Sequence, residues 1–94
     1  MLNDVRGKII VNNDENSQIL EKIDSLYKYW NNMYKKMAYY IEHDELEKIE
    51  LYITALKSNV ETEEYGQAVE KIDSCIFILK HIEQKYSFNL QNIF

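Results

Sequence analysis

His43 is the residue best placed to do chemistry, because Glu42, Asp44 and Glu47 surround it and His43/Glu47 hold the i, i+4 spacing of a two-ligand helical metal site. That spacing is common in helices. Asp44, with Glu47 three residues later, also reads as a capping box that satisfies orphan amides of a first helical turn. On that reading His43 precedes the helix and hydrogen-bonds carbonyls at the end of the one before it. His43 and Glu47 are therefore weak metal candidates, with a structural role expected for both.

The other potentially reactive groups lack partners. Cys75 is the single cysteine and falls on an apolar stripe, where a thiol acts as a small hydrophobe. His81 stands beside that stripe, eleven positions from His43 in repeat coordinates, which is about 16 Å along a helix and too far for a shared ion. There is no glycine-rich phosphate loop, no cysteine pair and no Ser or Cys with a basic partner. We expect no catalytic residue, no cofactor and no enzyme.

Aromatic side chains offer the alternative of binding. Eight tyrosines and Trp30 occur in 94 residues, and such side chains suit interfaces because they bury large area and keep a polar handle. Trp30, Tyr27 and Tyr34 fit a core. Tyr29, Tyr39 and Tyr52 fall off the best stripes and are interaction candidates. In the tail from Phe88 to Phe94, Leu90 and Ile93 are expected to dock, leaving Phe94 free as a fourth candidate.

The elements that position these groups are helices. The chain has no proline and two glycines, 46% hydrophobic and 29% charged residues, a size and composition that suit one all-α domain spanning 1–94. A net charge of −5 and a pI near 5.0 speak against nucleic acid as partner. No apolar run approaches the ~20 residues of a membrane span, so no membrane insertion by this chain itself is expected.

Apolar periodicity predicts helices over about 2–11, 14–42, 45–61 and 63–86, then an extension over 87–94. The second helix carries Ile19, Ile23, Leu26, Trp30, Met33, Met37 and Tyr40 on one stripe. Asn13, Asp44 and Thr62 are the cap candidates.

Glu21-Lys22-Ile23-Asp24-Ser25 recurs as Glu70-Lys71-Ile72-Asp73-Ser74, so the chain is a duplicated helical unit. An offset of 49 sets Val11 on Val60, Lys8 on Lys57 and Met1 on Glu50. The first helix thus looks truncated, as if trimmed from a precursor that continues upstream. We expect two stacked antiparallel hairpins, helical-repeat-like, with an apolar groove open beside the short first helix.

Trp30, then Ile41-Glu42-His43-Asp44-Glu45-Leu46 with Ile49, a second hairpin, and a closing Leu90-Gln91-Asn92-Ile93-Phe94 resemble the bacterial family known as domain of unknown function 4363. The motif positions are Trp30, His43, Glu45, Asn92 and Ile93. The resemblance implies a parent held by an N-terminal hydrophobic anchor, with this part extracytoplasmic. It implies no activity.

The function expected is a non-catalytic interaction or adaptor module with an unknown protein partner. The alternatives are a metal-binding bundle using His43 and nearby acids, and a purely structural homo-oligomer.

Overall fold

The computed structural model describes residues 1–11 and 16–94. It contains α1 (Leu2–Val11), α2 (Asn16–Met37), α3 (His43–Glu61) and α4 (Tyr65–Tyr86). The expected cap Asn13 and the expected start of the second helix at 14 lie outside the described residues.

Each helix packs on its two ring neighbours, α1 on α2 and α4, and α3 on α2 and α4, which closes the hairpins into a four-helix bundle. Its long dimension of 38 Å agrees with the roughly 33 Å length of a 22-residue helix. The centre is apolar. Ile19, Ile23, Leu26 and Trp30 of α2 meet Leu46, Ile49, Ile53, Leu56 and Val60 of α3 and Ala68, Ile72, Cys75, Leu79 and Ile82 of α4, all buried in one core. Burying a large side chain stabilises by ~1.5–3 kcal/mol, so these stripes hold the fold together.

The second helix stops at Met37, short of the predicted Glu42. Amides of Tyr40 and Ile41 both bond the Met37 carbonyl, at 2.9 Å each, and the chain turns there. This turn buries Ile41 to 5% exposure and turns out Tyr40, which is 70% exposed despite being in phase with the stripe. The next helix then begins at His43, with Glu42 as N-cap and no side-chain cap bond. Asp44 therefore does not cap it, and no Asp44–Glu47 capping box forms.

Thr62 ends α3 rather than starting α4. Its hydroxyl, with one proton to share, lies 2.8 Å from Glu64 Oε1 and 3.0 Å from Ser58 O. Glu63 adopts the left-handed conformation at φ 59°, letting the Glu64 amide reach back to Asn59 O at 2.7 Å. That closing pattern delays α4 to Tyr65, with Glu64 as its N-cap.

α1 corrects the repeat alignment. Its buried row Leu2, Val5 and Ile9 corresponds to Ile53, Leu56 and Val60, while Val11 is 60% exposed. The offset between α1 and α3 is therefore 51, against 49 between α2 and α4, whose first residues Asn16 and Tyr65 bond side chain to side chain at 2.9 Å. Arg6, not Lys8, is the counterpart of Lys57.

At the start of the short first helix the tail fills the apolar groove expected there, and the depression left there among the described residues, lined by Asn3, Lys80, Glu83, Gln84, Gln91 and Phe94, is mainly polar. After α4 ends at Ser87, in the left-handed conformation, the tail turns back and buries Leu90 and Ile93. Carbonyls of Ile93 and Phe94 then accept the amides of Leu2 at 2.9 Å and Asn3 at 2.7 Å. Two orphan donors of α1 are satisfied by the far end of the chain.

Candidate functional site

His43 sits on the first turn of α3, over the corner with α2. Its Nδ1 lies 3.1 Å from the Tyr34 hydroxyl and its Nε2 2.8 Å from Glu47 Oε1. Tyr34 stands edge-on to Trp30, with ring centroids 6.2 Å apart, so the contacts run from the core through Tyr34 to His43 and Glu47. The expected bonds from His43 to carbonyls of the preceding helix are not made, since both ring nitrogens face side chains, Nδ1 the Tyr34 hydroxyl and Nε2 the Glu47 carboxylate. With one imidazole and one carboxylate, both more than half exposed, the corner offers two ligands. Among the described residues no group of three or more His, Cys, Asp or Glu side chains gathers to hold an ion.

Glu45, on the neighbouring face of α3, ties that helix to α4. Its Oε1 is 3.4 Å from Lys85 Nζ and 3.9 Å from His81 Nε2. A hydrogen bond with Tyr86, the desolvation that opposes it and the nearby Glu45 carboxylate together leave the Lys85 ammonium above its usual range. The Cys75 thiol is buried, and desolvation pushes it from 9.0 up to about 12. At neutral pH it is a protonated core side chain, not a nucleophile.

The tyrosine candidates separate. Tyr29 and Tyr52 are half-buried against the core, whereas Tyr39 is 86% exposed in the α2–α3 turn. Tyr39 lies beside Tyr40, whose ring is 6.0 Å from that of Phe88. Phe94 is not free. It packs half-buried against the core, its ring below Lys80 Nζ at 5.9 Å, and Asn3 holds its backbone oxygen. Of the other motif positions, Asn92 is exposed and Ile93 is fully buried.

Between α3 and α4 an open groove of about 420 Å³ is lined by Lys48, Leu51, Tyr52, Ser74, Phe77 and Ile78. Leu51 and Phe77 are 67% and 76% exposed, so two large apolar side chains stand in water on its opposite walls. The repeat supplies an internal control. Phe77 corresponds to Lys28 in α2, which is also exposed, so the fold does not require an apolar group there.

The groove between α2 and α3, by contrast, is crossed by polar links, Lys57 to Asp24 at 3.5 Å and Tyr27 to Glu50 at 3.3 Å. Partial desolvation and Glu50 push the Tyr27 phenol upward, which keeps it a donor. That groove is bridged by the domain's own side chains. Of these two grooves, the α3–α4 one is where large apolar side chains, Leu51 and Phe77, stand exposed.

The profile of the family described as a domain of unknown function (DUF4363) matches residues 2–93. The chain belongs to that family. The match spans all four helices and reaches Ile93 in the tail, so the tail that closes α1 is part of the shared unit. Comparison with curated proteins and with solved structures finds no match. Leu51 and Phe77 escape a reading of the sequence that ranks tyrosines and ionisable groups. The available signal was that both are large, apolar and out of phase with their helix's core stripe.

Proposed function

We propose that this domain is a non-catalytic helical interaction module that docks a partner protein in the α3–α4 groove. The carrying observation is the pair Leu51 and Phe77, exposed on facing walls, with a lysine at the repeat position equivalent to Phe77. Exposed apolar side chains that converge on a groove are the usual form of a docking surface, whereas single ones scattered on a surface carry no meaning. The inert Cys75 and the two-ligand corner at His43 support a binding role over a catalytic one.

The resemblance to anchored family members supports a parent that presents this domain outside a cell membrane. No helix among the described residues is long and apolar enough to cross one.

Crosslinking from native membranes tests the docking role, with Phe77→Glu and Leu51→Glu as paired variants. A crosslinked species lost in both variants, with helicity and melting intact, is the expected result. A wild-type chain that recovers nothing above an unrelated helical control ends the proposal. The homo-oligomer alternative is checked in parallel by light scattering, where a concentration-dependent dimer sensitive to Phe77→Glu would displace a foreign partner.

A further inference from the structure

We infer that the tail is an exchangeable element, and that two copies of this chain pair end to end, each docking residues 90–94 on the other. The inference is independent of the α3–α4 groove. Its site is the seam between α4 and the start of α1, and the segment that fills it is the one that already fills that seam in a single chain.

The hinge is Ser87. Its amide still makes the helical bond to Glu83 O, at 3.0 Å, so α4 is intact up to this residue. The chain leaves the helix because Ser87 takes the left-handed conformation at φ 58° and ψ 32°, which is costly for a residue with a Cβ. No glycine or proline follows to require the break. The apolar stripe also runs on: Cys75, Leu79, Ile82 and Tyr86 are followed by Leu90 and Ile93 at steps of four and three, so a straight α4 would carry both in phase. The same sequence therefore suits a tail that is folded back and one that is straight.

Folded back, the tail runs antiparallel to α4. The Leu90 amide donates to Glu83 Oε2 at 2.8 Å, and the Phe94 ring lies 5.9 Å from Lys80 Nζ, nearly a turn further down the helix. A straightened hinge points these residues away from the end of the bundle. A second copy turned end for end then offers its own α4 antiparallel to them, the direction in which the seam accepts the tail. Ile93 N–H bonds Leu90 O at 3.1 Å, so the turn that sets Leu90 and Ile93 on one side crosses over intact and only 87–89 change. The bonds to Glu83, Leu2 and Asn3 are remade between copies. Exchange thus swaps like for like and relieves two hinges, against the cost of joining two bodies.

The end that meets the second copy is where aromatic side chains stand in solvent. Tyr39 and Tyr40 are exposed in the α2–α3 turn, and the Tyr40 ring is 6.0 Å from that of Phe88 in the hinge. Charge there is mixed, with Lys35, Lys36 and Lys85 against Glu42, Asp44 and Glu47, all exposed, so it neither drives nor forbids the pairing. The aromatic area is what a second copy covers.

Refolding an equal mixture of isotope-labelled and unlabelled whole chains at high concentration tests the exchange. Sedimentation should show a dimer beside the monomer, and isotope-filtered NMR of that dimer should find Leu2 of one chain against Ile93 of the other. Ser87→Gly eases the folded-back hinge and should lower the dimerisation constant about tenfold, roughly threefold for each hinge. Removing Asn89 shortens the hinge so that it closes poorly, and should make the dimer the main species. Phe77→Glu, about 15 Å down α4 from the hinge, should leave the dimer unchanged. A chain that stays monomeric at every concentration overturns the inference, as does a dimer in which Leu2 meets only the Ile93 of its own chain. A dimer abolished by Phe77→Glu, or one that Ser87→Gly fails to weaken, overturns it as well.

Discussion

Arg6 Nε lies 2.8 Å from Asp73 Oδ1 across the seam that joins the first helix to the last. The duplicated unit repeats this pairing, since Lys57 and Asp24 occupy the corresponding positions on α3 and α2 and meet at 3.5 Å. Both seams of the bundle are thus closed by a base on the shorter helix of one hairpin and an acid on the longer helix of the other. The Asp73 bond holds the Arg6 guanidinium above even its ordinary range, so this side of the pair stays charged at any working pH.

Replacing Asp73 by Asn should lower the melting temperature slightly more than Asp24→Asn, because Arg6 reaches Asp73 through two nitrogens, at 2.8 and 3.4 Å. Both pairs are exposed, so both effects should shrink towards nothing near 1 M salt, where screening acts over about 3 Å. Melting curves at low and high salt check this. A loss that persists in high salt would mean that Asp73 acts through something other than charge.

The four helices and their buried stripes were legible in the sequence because α2, α3 and α4 keep a 3.6-residue apolar period over four or more turns. What ends them was not. No glycine or proline marks the turn after Met37, and Tyr40 continues the stripe in phase, yet burying Ile41 wins over extending the helix. Glu63 in a left-handed conformation hides the end of α3 for the same reason, since glycine or asparagine is the usual signal there. The offset of 49 extended naturally to α1 but failed by two positions, because offsets follow loop length as well as helix register. At the candidate site, ionisable residues and tyrosines drew the reading to His43 and Tyr39. Exposure of Leu51 and Phe77 becomes visible only once the direction of each stripe is fixed.

Glu63→Gly should stabilise the domain by up to about 1 kcal/mol, because a residue with a Cβ at φ 59° carries a steric cost that glycine avoids. Glycine's greater freedom in the unfolded chain sets that ceiling. Thermal or denaturant unfolding reads the change directly, and a destabilised variant would show that the Glu63 side chain compensates for its backbone.

The Cys75 thiol predicts an alkaline weakness. Its folded value, about 12, lies above the ordinary 9.0, so stability is complete below pH 9 and falls as the unfolded chain ionises first between pH 9 and 12. Cys75→Ala should lose this component, so the stability difference between wild type and variant should narrow across that window. A parallel pH dependence for the two proteins would refute the assignment. Thiol-reactive dye should also label the native chain slowly and the denatured chain fast.

His43→Ala should leave melting within about 0.5 kcal/mol of wild type, since both His43 and Glu47 are more than half exposed and an exposed pair contributes little. The purified protein should carry no stoichiometric transition metal that this variant removes. Elemental analysis finding one bound ion per chain, lost in His43→Ala, would restore the metal-binding alternative.

The tail gives the largest expected effect. Ile93 is fully buried, and replacing it by Ala should cost ~2–5 kcal/mol, whereas each of the two backbone bonds that the tail offers to α1 contributes only ~0.5–1.5 kcal/mol. Apolar docking therefore holds the tail, and its carbonyls then order the start of α1. With Ile93→Ala the amides of Leu2 and Asn3 should lose hydrogen-exchange protection before those in the α3–α4 hairpin, because α1 is the shortest helix and depends on the tail for its first turn. Deleting residues 90–94 should extend that loss through α1 and remove much of the ~5–15 kcal/mol expected for a domain of this kind. If protection at Leu2 and Asn3 survives Ile93→Ala, the tail is an accessory to α1 and not the element that completes it.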